Sequence, residues 1–375
     1  MARTIGQGAI QTSDSDQVLV EVITTPRGLR AWRVRSYRDV RALLTDGRVS
    51  RHPDVEHASS SVRPVVFEEF GEGHGQRMRD ALSRAFSPGR VRYLRPKIHD
   101  LAIWLMDAIE RQGPPIDLRT SLSLPMAGLA ICELLGIPVS DRVEFIRCAR
   151  TAGRPDETNR AATDVAKLWT IMQSLINNRR LEKGQDAISE MVDTLPDGEI
   201  VGLAAALMFG GYETTAAVIE RGVVLLLANR PDIETWHRDS KSLAAAVEEI
   251  LRVPAPSGDG VRPGVGGLPR YATTDFQLGG VSIHTGDLVL LDIRGANQDP
   301  CQFAKPNRFD MRRRRNAHLT FGYGSYYCPG APLARIVLQE VFWALFDRFP
   351  RLQLAAEPER DTDENDAIVS LVAAW

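Results

Sequence analysis

Cys328 lies in "HLTFGYGSYYCPGAPLAR", residues 318–335, with Gly322 and Gly324 ahead of it and Pro329 and Gly330 behind. The glycines permit a tight loop, and Pro329 suits the first position of a helix that runs through Arg335. Such a loop aims the positive end of a helix at the sulfur. A thiolate is favoured there, so Cys328 reads as a metal ligand or a nucleophile rather than as an inert core thiol. A nucleophile needs a nearby base, and His318 is ten residues away with nothing in the sequence to bring it close. The other cysteines, Cys132, Cys148 and Cys301, show no CxxC or zinc-like spacing with it, which leaves disulfides and a zinc cluster as poor explanations.

A second group stands in "GGYETT", residues 210–215. Paired glycines cost a helix about 1 kcal/mol each relative to alanine, and a helical Thr can bond back to a carbonyl one turn earlier and bend the helix. Together they would open a groove faced by Glu213 and Thr214; a packing crossover with a solvated Glu is the alternative. "EEILR" sets Glu249 and Arg252 at i, i+3, where they can pair on one helix face. Taken alone this is a surface pair of little worth. Arg308 of "PNRF" completes a Glu–Arg–Arg network if the chain folds back, which spacing does not show.

These groups need a frame. Residues 1–17 read as a loose tail and 18–375 as one mostly helical domain with small β-sheets. "VLVEVI" and "AWRVRS" flank a Pro-Gly turn as a hairpin. Apolar residues at helical spacing follow in "SYRDVRALLTD", "RMRDALSRAF", "HDLAIWLMDAIERQ", "LPMAGLAICELLG" and "ATDVAKLWTIMQSLINNRRLEKG". Residues 199–229 are apolar on nearly every side, as in a long helix through the middle of a protein. "SLAAAVEEILRV" and "APLARIVLQEVFWALFDRFP" add helices, and "FQLGG", "VSIHTG" and "LVLLDI" add strands. A net charge of −2 excludes a global bias towards nucleic acid. No signal-peptide pattern opens the chain, and the uncharged run Ile200–Tyr212 is short for a membrane span, so a cytoplasmic location without membrane attachment is expected.

The ordered set "GGYETT", "EEILR", "ANQDP" with "PNRF", and "FGYGSYYCPG" resembles the cytochromes P-450, the haem-thiolate monooxygenases, and specifically a soluble bacterial member. Weaker similarity extends from "AWRVRSYRDVRALL" to "RLQL". The resemblance implies a single-domain P-450 fold and haem b with iron held by the Cys328 thiolate. It implies that Phe321 packs beside the sulfur and that Gly322, Gly324 and Gly330 allow a close backbone approach. Glu213 and Thr214 match the acid–alcohol pair that relays protons to dioxygen. Glu249, Arg252 and Arg308 match a structural network behind the haem, and Arg79 and Arg270 match partners of its propionates. Three positions depart from the pattern. Gly75 stands where the family often has a propionate-binding histidine, with His74 one residue earlier. Tyr326 replaces another such histidine. Pro329 removes a backbone donor from beside the sulfur.

The same resemblance places the substrate pocket at Val65, Val66 and Phe67, at Met208, Phe209 and Tyr212, and at Leu291, Asp292 and Ile293. That lining is apolar apart from Asp292 and the Tyr212 hydroxyl, which favours a small-to-medium hydrophobic substrate. The glycine-rich loop 257–268 should lie beside it. The expected activity is hydroxylation or epoxidation with dioxygen, in bacterial natural-product metabolism. Two electrons would pass from NAD(P)H through a separate ferredoxin reductase and ferredoxin to a monomer. Arginines in "MRRRRN", with Arg335, Arg84, Arg90 and Arg92, would form the docking patch. Oxidative coupling or desaturation on the same haem is the alternative enzyme reading, and a haem-bound sensor without turnover the alternative of another class.

Overall fold

The computed structural model describes residues 20–25, 28–51, 74–152, 160–229, 239–253, 267–313, 315–361 and 367–375. Val65, Val66, Phe67, Arg314 and most of the glycine-rich loop lie outside the described residues, as do the side chains of His74 and Tyr326.

The predicted hairpin is present as β1 (Val20–Thr24) and β2 (Arg30–Val34), paired antiparallel with Val20 opposite Val34. Ser36 caps α1 (Tyr37–Leu43) by accepting from the Asp39 amide at 3.0 Å. Next come β3 (Val49–Ser50), α2 (His74–Ala85) and α3 (Pro88–Gln112), the last starting with proline at its first turn as an N-terminus prefers. β4 (Ile116–Asp117) leads through a π-helical turn, Arg119–Ser123, into α4 (Leu124–Leu135). Then follow α5 (Arg142–Ala152), α6 (Arg160–Leu181), α7 (Ala187–Met191), α8 (Asp197–Ala228) and α9 (Ser240–Arg252). The strands β5 (Leu268–Ala272), β6 (Phe276–Leu278), β7 (Val281–Ile283) and β8 (Leu288–Leu291) precede α10 (Ile293–Asn297) and α11 (Ala331–Arg348). The short strands β9 (Gln353–Leu354), β10 (Glu359–Arg360), β11 (Ile368–Ser370) and β12 (Val372–Ala374) complete the order.

The largest sheet runs β1-β2-β8-β5-β3, with β2 and β8 parallel and the other pairs antiparallel. One face covers a small core that includes Val34, Val40, Val289 and Phe303. The main core is helical and gathers α3, α4, α8, α9 and α11. At 32 residues, α8 is about 48 Å long. Length and composition alone would let it cross a membrane. In the fold it packs against α4, α5, α9 and α11 and carries the buried charges Glu199, Glu220 and Arg221, which marks it as a core helix. α8 and α11 meet closely at Gly222, where any Cβ would run into the Phe342 ring. The helix α5 is an element that the sequence patterns did not single out.

Candidate functional site

The cysteine loop is tied down at both ends. Asn297 of α10 accepts from the Leu319 amide at 2.7 Å and donates to Thr320 Oγ1 at 2.9 Å, while the Thr320 hydroxyl donates to the Leu251 carbonyl at 2.6 Å. The Cys328 amide then closes the loop on the Phe321 carbonyl at 2.8 Å. Gly322 and Gly324 sit at φ 74° and 70°, where only glycine rests without strain, and a Cβ on Gly324 would also run into Thr45 just after α1. Arg41 of α1 stacks on the Tyr323 ring at 4.2 Å and completes the clamp. Gly330 differs from the other two. Its backbone is right-handed, and a Cβ there would meet Cys328 Sγ at 3.8 Å and Phe86 at 3.9 Å, ordinary contact distances.

The start of α11 faces the sulfur. The Gly330 and Ala331 amides lie at the sulfur and act to lower the thiol, although Pro329 supplies none, and the Ala331 amide donates to the Cys328 carbonyl at 3.2 Å. Burial nevertheless pushes the Cys328 thiol up, against the pull of those amides and of Arg335. The helix terminus by itself therefore does not hold a thiolate, and the cation of a coordinated metal would complete the stabilisation. Behind the loop, Arg335 lies over the Phe321 ring at 4.7 Å and grips Glu248 through two bonds of 2.6 and 3.0 Å. Burial works to raise Glu248, but hydrogen bonds from His318 and Arg335 hold it at about 2. His318 accepts from the Thr320 amide on Nδ1, so its ring hydrogen points from Nε2 to Glu248 at 3.1 Å. The residue that seemed a remote base for Cys328 thus serves as a brace.

The Glu249–Arg252 pair is wholly buried, with bonds of 2.7 and 2.8 Å. Its third member is Arg313, whose Nε lies 3.1 Å from Glu249 Oε2, and Asn316 adds a further donor at 3.1 Å. Arg308 does not enter through its side chain, which is exposed; its carbonyl accepts from Arg252 and Arg313 at 3.3 Å each. That corrects the expected triad. It also removes Arg313 from the docking patch, as burial and a Glu190 pair remove Arg90. Arg335 is committed to Glu248, whereas Arg92, Arg312 and Arg315 are exposed.

On α8 the Thr214 hydroxyl donates to the Gly210 carbonyl at 2.6 Å, the back-bond expected from "GGYETT". A side-chain carbon at Gly210 would touch nothing within 4 Å, and the neighbouring Phe209 is 60% exposed in the middle of a core helix. The helix face at 209, 210, 213 and 214 therefore opens onto a groove. Among the described residues two cations meet Glu213 there: Arg119 Nη2 donates to Oε2 at 2.8 Å, and Arg150 of α5 approaches Oε1 at 3.8 Å. Arg150 also lies over the Tyr212 ring at 4.8 Å.

The remaining expected positions divide. Met208 and Tyr212 point into the core, at 0% and 6% exposure, and Leu291 is fully buried under the large sheet. Asp292 caps α10 through the Gly295 amide at 2.8 Å and pairs with Arg35 at 3.5 Å; burial raises its carboxyl. Ile293 packs against the same sheet core. Arg270 is buried on β5 and donates to the Pro269 carbonyl at 2.7 Å. Arg79 lies on the exposed side of α2, and His74 is that helix's first residue. Tyr326 ends the short turn Gly324–Tyr326 before the cysteine.

Comparison with known proteins bears on this arrangement. The family model for cytochrome P-450 matches residues 238–373. Pentalenolactone synthase of Streptomyces exfoliatus is 36% identical, over 88% of this chain and 86% of that protein. Mycinamicin IV hydroxylase/epoxidase of Micromonospora griseorubida is 35% identical, over 89% and 86%. This chain belongs to the cytochrome P-450 family. Among solved structures, the mixed-function P-450 MycG superposes with a TM-score of 0.84 at 31% identity, covering 96% of this P-450 and 94% of that chain. A P-450 hydroxylase from the leinamycin pathway of Streptomyces atroolivaceus gives 0.84 at 29%, with the same coverage.

The protein is accordingly a monooxygenase whose family works with haem iron, dioxygen, redox-partner proteins and small substrates. Its own residues fit that cofactor. They offer a half-buried sulfur at the start of α11, a buried arginine on the adjoining sheet, and an open face of the core helix where Phe209 stands beside Thr214. Sequence reading missed Arg119, Arg150 and Glu248, and assigned Arg313 to the docking patch. The one available signal was Glu220–Arg221 inside the apolar "AAVIERGVV", since a buried acid demands a cation from elsewhere.

Proposed function

We propose that this P-450 holds haem b through the Cys328 thiolate and hydroxylates or epoxidises a small hydrophobic molecule of bacterial natural-product metabolism. Bound haem would supply the iron chemistry that activates dioxygen. Cys328 would ligate the metal, with the Gly330 and Ala331 amides spreading the sulfur's charge. Arg270 and Arg79 would hold the propionates. Thr214 would keep a hydroxyl at the groove, where it can accept a proton from the side of Glu213 and pass its own onward. The observation that carries this reading is the 2.6 Å bond from Thr214 to Gly210 beside the open face of α8, which sets a hydroxyl next to space for a ligand. The exposed Phe209 ring favours an apolar substrate. The names of the relatives, a synthase of pentalenolactone and a hydroxylase/epoxidase of mycinamicin IV, support the reaction class.

Residues 18–375 would act as one cytoplasmic domain and as a monomer. Electrons from NAD(P)H would arrive through a ferredoxin that docks on exposed arginines such as Arg92, Arg312 and Arg315. The test is Thr214→Ala in reconstituted holoenzyme. Cofactor consumption per product should rise severalfold with release of peroxide, and unchanged coupling would contradict the relay.

A further inference from the structure

One guanidinium ties together two carboxylates of α8. Arg119 Nη1 donates to both oxygens of Glu220, at 2.8 and 3.0 Å, while its Nη2 reaches Glu213 at 2.8 Å. The two acids are seven residues apart, about 10 Å along the helix, so only a side chain approaching from the flank can span them. Arg119 comes from the π-helical turn, a rare conformation, and its amide is fixed on Asp117 Oδ1 at 3.0 Å. Asp117 in turn accepts from the Leu371 amide at 2.9 Å, which anchors the base of Arg119 to the β4–β12 ladder. Glu220 is 1% exposed, whereas Glu213 stands in the groove beside Thr214.

We propose that Arg119 is the positioning residue of Glu213, and that Glu220 sets the strength of this hold by competing for the same guanidinium. The proposal rests on Glu213 supplying protons to the groove. While Glu220 is ionised, Arg119 divides between two anions and Glu213 can leave it. Once Glu220 is protonated, Arg119 falls to Glu213 beside Arg150, and the carboxylate turns towards Thr214 less often. Burial pushes Glu220 up to about 7 against the attraction of Arg119, with Glu213 and Asp117 adding repulsion, so the exchange falls in the neutral range.

Among the described residues, the groups that face the cluster include Arg119 and Asp117 from the turn and β4, Arg150 from α5, and Tyr212 and Glu213 from α8 itself. On α4 the ionisable side chains are Cys132 and Glu133, and Glu133 is held by Arg142 and Lys97. On α9 and α11, Glu248 and Arg335 hold each other, Glu249 holds Arg252, and Glu340 is met by Arg95. On α6, Asp164 pairs with Arg147, Lys167 with Glu144, and Arg179 with Asp186.

The test is an infrared titration of protonated carboxyls in the holoenzyme, with Glu213→Gln, Glu220→Gln and Arg119→Lys compared with the parent. A buried band should titrate near neutrality in the parent and vanish in Glu220→Gln. In Glu213→Gln its midpoint should fall by about one pH unit, a tenfold loss of proton affinity, because Arg119 is no longer shared. An unmoved midpoint would overturn the competition. Glu220→Gln should also remove the pH dependence of peroxide release when reduced, substrate-free holoenzyme is reoxidised by air. If that dependence survives while Glu213→Gln changes the peroxide yield, the proposal fails and the proton role of Glu213 stands. If Glu213→Gln leaves the yield unchanged, the role of Glu213 itself fails, whatever the infrared result.

Discussion

The cysteine loop and the groove on α8 are built in different ways. Around Cys328 most bonds run within one loop or to its immediate supports: Phe321 to Cys328, Leu319 and Thr320 to Asn297, Arg335 to Glu248. Two glycines at positive φ and a clamp on α1 fix its shape. The groove takes its walls from one helix, but its charges come from a turn 94 residues upstream of Glu213 and from α5. One region is rigid because it is local and fully braced. The other depends on exchangeable ion pairs, so its state can follow pH and ligand. Damage to the first should therefore appear as lost stability or ligation, and damage to the second as altered proton delivery.

The sharpest way to break that contrast is Arg252→Ala, which removes the fully buried partner of Glu249 and leaves that acid to Arg313 and Asn316. It should cost about 3–5 kcal/mol, read as a lower midpoint in chemical denaturation, and a near-neutral result would mean the brace is dispensable. Gly324→Ala should cost about 1–3 kcal/mol from its positive φ, with more added by Thr45, and the loss should appear even without haem. On the groove side the expected stability effect depends on pH. Glu220 stands above its ordinary 4.5, at about 7, so the folded state binds the extra proton and stability falls as pH rises from about 4.5 to 7. Melting temperature should drop by a few degrees across that window, and Glu220→Gln should flatten the curve. The smallest effect is expected for Pro329→Leu, which adds an amide beside those of Gly330 and Ala331 and should raise the reduction potential of the iron slightly. A titration with no upward shift would contradict it.

The same contrast explains what was legible in the sequence. The loop could be read because its determinants are consecutive: Gly322, Gly324, Cys328 and Pro329 fall within eight residues. The Thr214 back-bond was readable for the same reason, since it spans one helical turn. Glu249 and Arg252 were visible as neighbours, yet the identity of the third arginine was not. The turn after "PNRF" sends the Arg308 side chain outward and brings Arg313 inward, a choice made by tertiary packing. Arg119 and Glu220 lie 101 residues apart, and periodicity carries no information over that distance. Pocket residues were the least legible. Adjacent positions on a helix face different ways, which leaves Met208 in the core and Phe209 at the groove.

The central claim is that Cys328 ligates haem iron as a thiolate, and the carbon-monoxide difference spectrum of the reduced holoenzyme tests it most directly. The parent protein should show the strongly red-shifted Soret band of thiolate ligation, and Cys328→Ser should lose it while retaining its fold. A folded, haem-loaded parent without that band, or a Cys328→Ser variant that keeps it, would contradict the account.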